Sequence, residues 1–205
     1  RYYVTASVRA DGSSKFPENN RYGIFPSASV AWRINGEKFM QDQRVFTNLK
    51  LRAGWGRVGN QAIPAGRDIT RLGTGSYVIG GVRYPFTTLG DMGNPDLFWE
   101  TVEDFNVGLD MGFLRDRLNV TFELFQKKSH DMLYSRENPL FSGYTDYNCN
   151  LWGNIGSMKA AGWELSINWA DRSKDFTYDI GLQLSSVKNT AVRFTGLNPI
   201  DAAAW

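Results

Sequence analysis

What most constrains this chain is an alternation of apolar and polar side chains with a period of two, sustained over unusually long stretches. A β-strand sends successive side chains to opposite faces, so each such stretch has one greasy side and one wet side. Trp99 to Phe113 is the clearest case: Trp99, Phe105, Val107, Leu109, Met111 and Phe113 oppose Glu100, Asp104, Asn106, Gly108, Asp110 and Gly112. The pattern recurs from Arg1 to Ala10, Phe25 to Ile34, Leu49 to Arg57, Leu118 to Lys128, Trp163 to Trp169 and Phe176 to Ser185, with Phe125 intruding on the polar side. The spacing predicts seven strands and no helix beyond a short turn near 37–42. Soluble strands average about 5–6 residues. About 10 tilted residues already cross a bilayer's hydrocarbon, so the longest stretches fit a membrane-crossing sheet.

The connections run over about residues 11–24, 35–48, 58–98, 114–117, 134–157 and 170–175. None of the second, fourth and sixth is longer than any of the others, two of them are tight, and an up-and-down sheet puts all three at one end. Short turns at one end and long loops at the other are the habit of outer-membrane barrels. Aromatic pairs near the strand ends (Trp99 with Phe113, Trp163 with Trp169, Phe176 with Tyr178) suit the girdles of such a barrel. The expected fold is therefore all-β, an antiparallel up-and-down transmembrane β-barrel segment of about seven strands, with long extracellular loops and shorter periplasmic turns. The alternative is a secreted β-sandwich or propeller that binds carbohydrate. The two differ in where the greasy side looks: a sandwich buries Leu109, Phe122, Ile167 and Leu182 together between layers, and a barrel turns them toward acyl chains.

Composition closes other routes. A net charge of +2 and a pI near 8.7 show no basic stripe for nucleic acid. No apolar run approaches the roughly 20 residues of a membrane helix. One Cys and one His allow neither an internal disulfide nor a four-ligand zinc site, so no cofactor, metal or catalysis is expected. Gly54-Trp55-Gly56-Arg57-Val58-Gly59 has dinucleotide-loop spacing but opens no helix, which such a site needs. His130 beside Asp131 could make a base and its orienter only if a bulge turned both to one face. Cys149 reads as an incidental loop thiol.

Several segments, in order, resemble the SusC/RagA family of TonB-dependent outer-membrane transporters. They are Arg9-Ala10-Asp11-Gly12-Ser13-Ser14-Lys15-Phe16, Asn20 to Ser27, Ala31-Trp32-Arg33-Ile34, Leu49 to Ala53, Gly59-Asn60-Gln61, Gly93-Asn94-Pro95-Asp96-Leu97-Phe98-Trp99-Glu100, Asn106 to Asp110, Asn154 to Met158 and Gly162-Trp163-Glu164. The resemblance implies a barrel of about 22 strands closed by a plug, a SusD-like lid lipoprotein over the mouth, and nutrient import in the bacterial outer membrane. It also implies that residues 1–205 are a middle-to-late piece of the barrel. The plug, the TonB-contacting N-terminal part and the last strands would lie elsewhere in the protein. Partners would then be outer-membrane lipid, the protein's own plug, the lid and TonB, with no nucleic acid. Gly54, Gly56, Gly108 and Gly112 on the wet side would admit another backbone at close range. Substrate contact is expected from loop aromatics: Tyr84, Phe86, Tyr144, Tyr147 and Trp152 stand beside Arg71, Arg83, Asp91 and Asp146, a set suited to glycans or peptides.

Overall fold

The computed structural model describes residues 1–90, 92–137, 150–171 and 176–194. Among these residues nine strands form: β1 (Tyr2–Gly12), β2 (Tyr22–Arg33), β3 (Phe46–Asn60), β4 (Leu72–Ile79), β5 (Val82–Leu89), β6 (Glu100–Phe113), β7 (Leu118–Glu137), β8 (Asn150–Asp171) and β9 (Tyr178–Phe194). Seven of them make one antiparallel sheet in the order β1-β2-β3-β6-β7-β8-β9, and β4 and β5 pair with each other alone. The sheet is a single layer whose strands neighbour one another in chain order, and it does not close on itself.

Register brings the greasy sides together. Tyr2 pairs with Trp32, Trp32 with Leu51, Leu51 with Leu109, Leu109 with Phe122, Phe122 with Leu165 and Leu165 with Leu184, an apolar row across all seven strands. The next row toward the short turns runs Leu49, Met111, Val120, Ile167, Leu182. A slip of one residue on any strand would send its whole set to the other face, and no strand slips within these rows. Among the described residues nothing covers this side: Leu182 is 52 % exposed and Phe122 36 %, while Leu109 and Ile167 are half-buried. The described residues thus supply no second layer of the kind a sandwich needs.

The apolar band crosses the rows obliquely. Toward the long loops it reaches Trp55 on β3 and Phe105 on β6, but ends at Leu124 on β7 and at Leu184 on β9, where Ser186 and Lys188 follow. Toward the short turns it begins at Trp32 on β2 and at Tyr178 on β9. From Trp55 to Leu184 the edge drops about 13 Å along the strands over about 19 Å of sheet. That is a slope of roughly 35°, within the tilt of strands in transmembrane barrels.

The other face carries charge. Arg52 lies opposite Gly108, which lies opposite Glu123. With no side chain at Gly108, the guanidinium stretches over it to Glu123 Oε2 at 2.6 Å and reaches Asp110 Oδ2 at 3.4 Å. A Cβ at Gly108 would sit 2.7 Å from Arg52 Cζ, and one at Gly54 would sit 2.8 Å from Asn106 Oδ1. At these two glycines the room is taken by neighbouring side chains of the wall itself. Phe125 has the same explanation: it lies over Gly162, its partner on β8.

The structure revises several boundaries. The β1–β2 connection shrinks to residues 13–21 and is shorter than the β2–β3 connection, residues 34–45. Loop length is thus segregated only from β3 onward. β7 and β8 are longer than alternation indicates, because a bulge between Ser129 and Met132 breaks the parity and Gly153, Gly156, Ala160 and Ala161 give no apolar signal. Trp99 precedes β6 and is buried, so it belongs to no girdle. At the short-turn end Tyr2 stacks on Trp32 (6.1 Å between rings), and Phe46 packs at a tilt against Phe113 (5.0 Å). There the Trp32 indole donates to Glu37 Oε1 (3.2 Å); with Tyr2 and Arg1, it outweighs burial and holds that carboxyl below the usual range.

Gly162 and Gly181 give a test of the sheet. A Cβ at Gly162 would collide with the Ser186 carbonyl and press on Phe125 at 2.9 Å, whereas one at Gly181 would meet only Asn168 Oδ1 at 3.6 Å. Gly162→Ala is expected to cost about 1–3 kcal/mol and Gly181→Ala close to nothing, measured as urea midpoints of the intact protein.

Candidate functional site

Loop packing concentrates at the long-loop end, where the described residues form their one buried apolar cluster. Phe16, Phe25, Ile63, Leu97 and Trp99 make it up, with Leu133 and Trp152 packed against them. The Trp99 ring lies 5.2 Å from Phe16 and 5.4 Å from Phe25. These residues come from the β1–β2 loop, the β2 and β7 strands, both legs of the β3–β6 loop and the start of β8. The hydrophobic effect therefore acts here as a clasp on loops.

Hydrogen bonds complete the clasp. Asn154 on β8 donates through Nδ2 to the Phe98 and Asp131 carbonyls (both 2.9 Å) and accepts the Phe98 N–H at Oδ1 (3.1 Å). Asn94 Nδ2 donates to the Trp152 carbonyl (2.9 Å), and Asn20 Nδ2 to that of Leu97 (3.1 Å). Buried Glu100 accepts the Leu133 N–H at 3.1 Å, and the Trp99 indole donates to the Arg21 carbonyl at 3.2 Å. Segment 93–100 is thus tied to β7, β8 and the β1–β2 loop at once. Segments quoted separately in the sequence, around Phe16, Asn20, Asn94 and Asn154, meet at this point.

From the clasp a hairpin projects. β4 and β5 pair from Leu72↔Leu89 to Ile79↔Val82, and Gly80 and Gly81 turn it with φ of 57° and 83°. Glycines supply positive φ without steric penalty. The Gly80-Gly81 pair between β-branched residues is the sequence sign of this hairpin, in a stretch expected to be loop. One face carries Tyr77, Ile79, Val82, Tyr84 and Phe86, each at least 42 % exposed. Tyr77 stacks on Tyr84 at 5.7 Å and 21°, and Phe86 lies 6.0 Å from Tyr77 with its ring over Gly75.

Of the residues expected to meet substrate, Tyr84 and Phe86 share this ribbon face, and Tyr77 joins them. Trp152 lies apart, packed on the buried cluster. Arg83 falls on the ribbon's opposite face by alternation. Tyr144, Tyr147, Asp91, Asp146 and Cys149 lie outside the described residues. His130 does sit in a bulge, where Asp131 has φ 56°, but its Nε2 faces Glu103 Oε2 at 3.8 Å and not Asp131. Below the clasp, the polar face forms a concavity of about 620 Å³ lined chiefly by small and charged residues, among them Ser7, Ser27, Gly56, Asp104 and Lys127.

Comparison with known proteins adds the following. The family model for the TonB dependent receptor-like β-barrel matches residues 1–203. A TonB-dependent receptor of Formosa agariphila is 36% identical over 98% of this chain, and the TonB-dependent receptor SusC of Bacteroides thetaiotaomicron is 37% identical over 96%. In each case the chain spans 20% of the relative's length. The RagAB peptide importer in its closed-closed state superposes with a TM-score of 0.84 at 28% identity, covering 96% of this chain and 21% of that one.

The clasp predicts that loop anchoring and sheet stability separate. Leu97→Ala removes a fully buried side chain, a loss of about 2–5 kcal/mol that falls on the loop. Limited proteolysis of the intact protein should cut within 61–99 faster, while the heat-stable β-sheet signal stays.

Proposed function

The chain belongs to the TonB-dependent receptor-like β-barrel family, and we propose that it forms part of the wall of a bacterial outer-membrane importer of glycans or peptides energised through TonB. The apolar face carries this reading: rows of Leu, Val, Ile and aromatic side chains, uncovered, slanting across the strands as tilted strands in a bilayer require. The wet face with its Arg52–Asp110–Glu123 network then lines the lumen against the plug. The chain's share of its relatives, about a fifth, fits a middle-to-late barrel segment, with plug, TonB-contacting part and remaining strands in the rest of the protein. The clasp and ribbon then stand at the extracellular mouth, beneath a SusD-like lid lipoprotein. Tyr77, Tyr84 and Phe86 offer ring faces on which sugar rings or apolar peptide side chains can stack. RagAB is itself a peptide importer, which favours including peptides.

Two measurements on the intact receptor test this. Leu109 sits midway along the apolar face of β6, so Leu109→Arg should cost about 2–4 kcal/mol in bilayer-reconstituted protein. Thr121→Arg, on the wet face opposite Asp110, should cost well under 1 kcal/mol; equal costs would sink the lipid-facing assignment. Asp110 is the poorer control, because it pairs with Arg52. Second, Phe86→Ala should weaken apparent substrate affinity roughly two- to tenfold, the worth of about 0.5–1.5 kcal/mol of ring contact, in uptake assays with folding unchanged.

A further inference from the structure

Above the apolar band, on its long-loop edge, the same outward face turns basic. The row there reads Arg57, Glu103, Lys128, Lys159, Thr190. Glu103 is its one acid and is already engaged: it accepts the Trp55 indole at 2.7 Å and has Arg57 at 3.7 Å and His130 at 3.8 Å. Lys128 and Lys159 stand directly opposite each other, and Lys188 lies one row below, beside Lys159. Among the described residues none of these three lysines has an ion-pair partner. Like charges opposed across a ladder destabilise it unless something neutralises them. At the short-turn end Arg1 pairs with Glu37 and Arg117 with Asp171.

We propose that Lys128, Lys159 and Lys188 bind the phosphate of an anionic lipid head group in the leaflet on the long-loop side. The inference rests on the apolar face being lipid-facing. Its occupant follows from position: a group held here must present anionic charge at the height where the acyl-chain band ends, and a head group does so while its tails lie on Leu124, Trp163 and Leu184. Three ammonium groups, with only the already engaged Glu103 facing Lys128 across the ladder, supply the complementary charge and hydrogen-bond donors. Stems packed along the strand surface let the ammonium groups reach the interface. A lipid bound here would relieve the Lys128–Lys159 repulsion and strengthen the β7–β8 pairing.

The test uses the intact receptor in nanodiscs, with wild type and the K128Q/K159Q/K188Q variant in three settings. One bilayer contains a bisphosphorylated lipid A, the second the same lipid stripped of phosphate, and the third lacks it but is bathed in inorganic phosphate. Native mass spectrometry should find the phosphorylated lipid retained by wild type and on the order of tenfold less by the variant. The dephosphorylated lipid should be retained poorly and equally by both. Equal retention of the phosphorylated lipid by wild type and variant overturns the proposal, and so does retention of the stripped lipid by wild type as strong as that of the phosphorylated one. Stabilisation of wild type by inorganic phosphate as large as by the lipid also overturns it, because the site would then hold a free anion. If the receptor enters nanodiscs normally in those cases, the lipid-facing reading survives. Failure to enter any bilayer overturns both.

Discussion

The structure depends on the backbone ladder's holding register across seven strands. Hydrogen bonding by itself is indifferent to which side chains face which way; what makes one register preferable is that apolar sets on adjacent strands then coincide. Here the ladder sets Leu51, Leu109, Phe122, Leu165 and Leu184 side by side. The result is a sheet with most of its apolar area on the outside and almost none enclosed. Such a sheet is a sound design only where the surroundings are themselves apolar on that side. That is why the uncovered face, more than any one residue, governs the functional reading.

On the wet face, packing is arranged through absences. Arg52 could not span to β7 if Gly108 carried a side chain, and Phe125 could not lie flat on β8 if Gly162 did. Each glycine is paired with a long neighbour that uses its space, so charge and ring contacts are made within the wall and the surface stays shallow. Enclosed hydrophobic packing is confined to the clasp, where loops that have no ladder to hold them need it. The ribbon beyond relies on that anchorage, since an isolated two-stranded hairpin is marginal in water.

Much of this was legible in the chain. Alternation in Trp99–Phe113 and its counterparts found all seven sheet strands, and the ordered motifs found the family. Boundaries were harder to read, for identifiable reasons. The bulge at His130 resets parity, so β7 beyond it and the small-residue first half of β8 looked like loop. Trp99 continues the apolar period of β6 and so reads as a wall residue, although its ring turns into the clasp. The ribbon was overlooked although Gly80-Gly81 marks its turn.

What the sequence determined by itself was which residues share a face, because a period of two is a local property of the extended backbone and needs no knowledge of neighbours. It also determined that no run is long and apolar enough for a membrane helix, and that one Cys and one His make neither an internal disulfide nor a four-ligand Cys/His zinc site. Only the tertiary structure decided that the greasy faces line up uncovered in one layer, that Arg52 fills the room above Gly108, and that Phe16, Leu97 and Trp99 meet. Each of those depends on which distant residue arrives alongside, and that is set by pairing across strands, which no stretch of chain encodes alone.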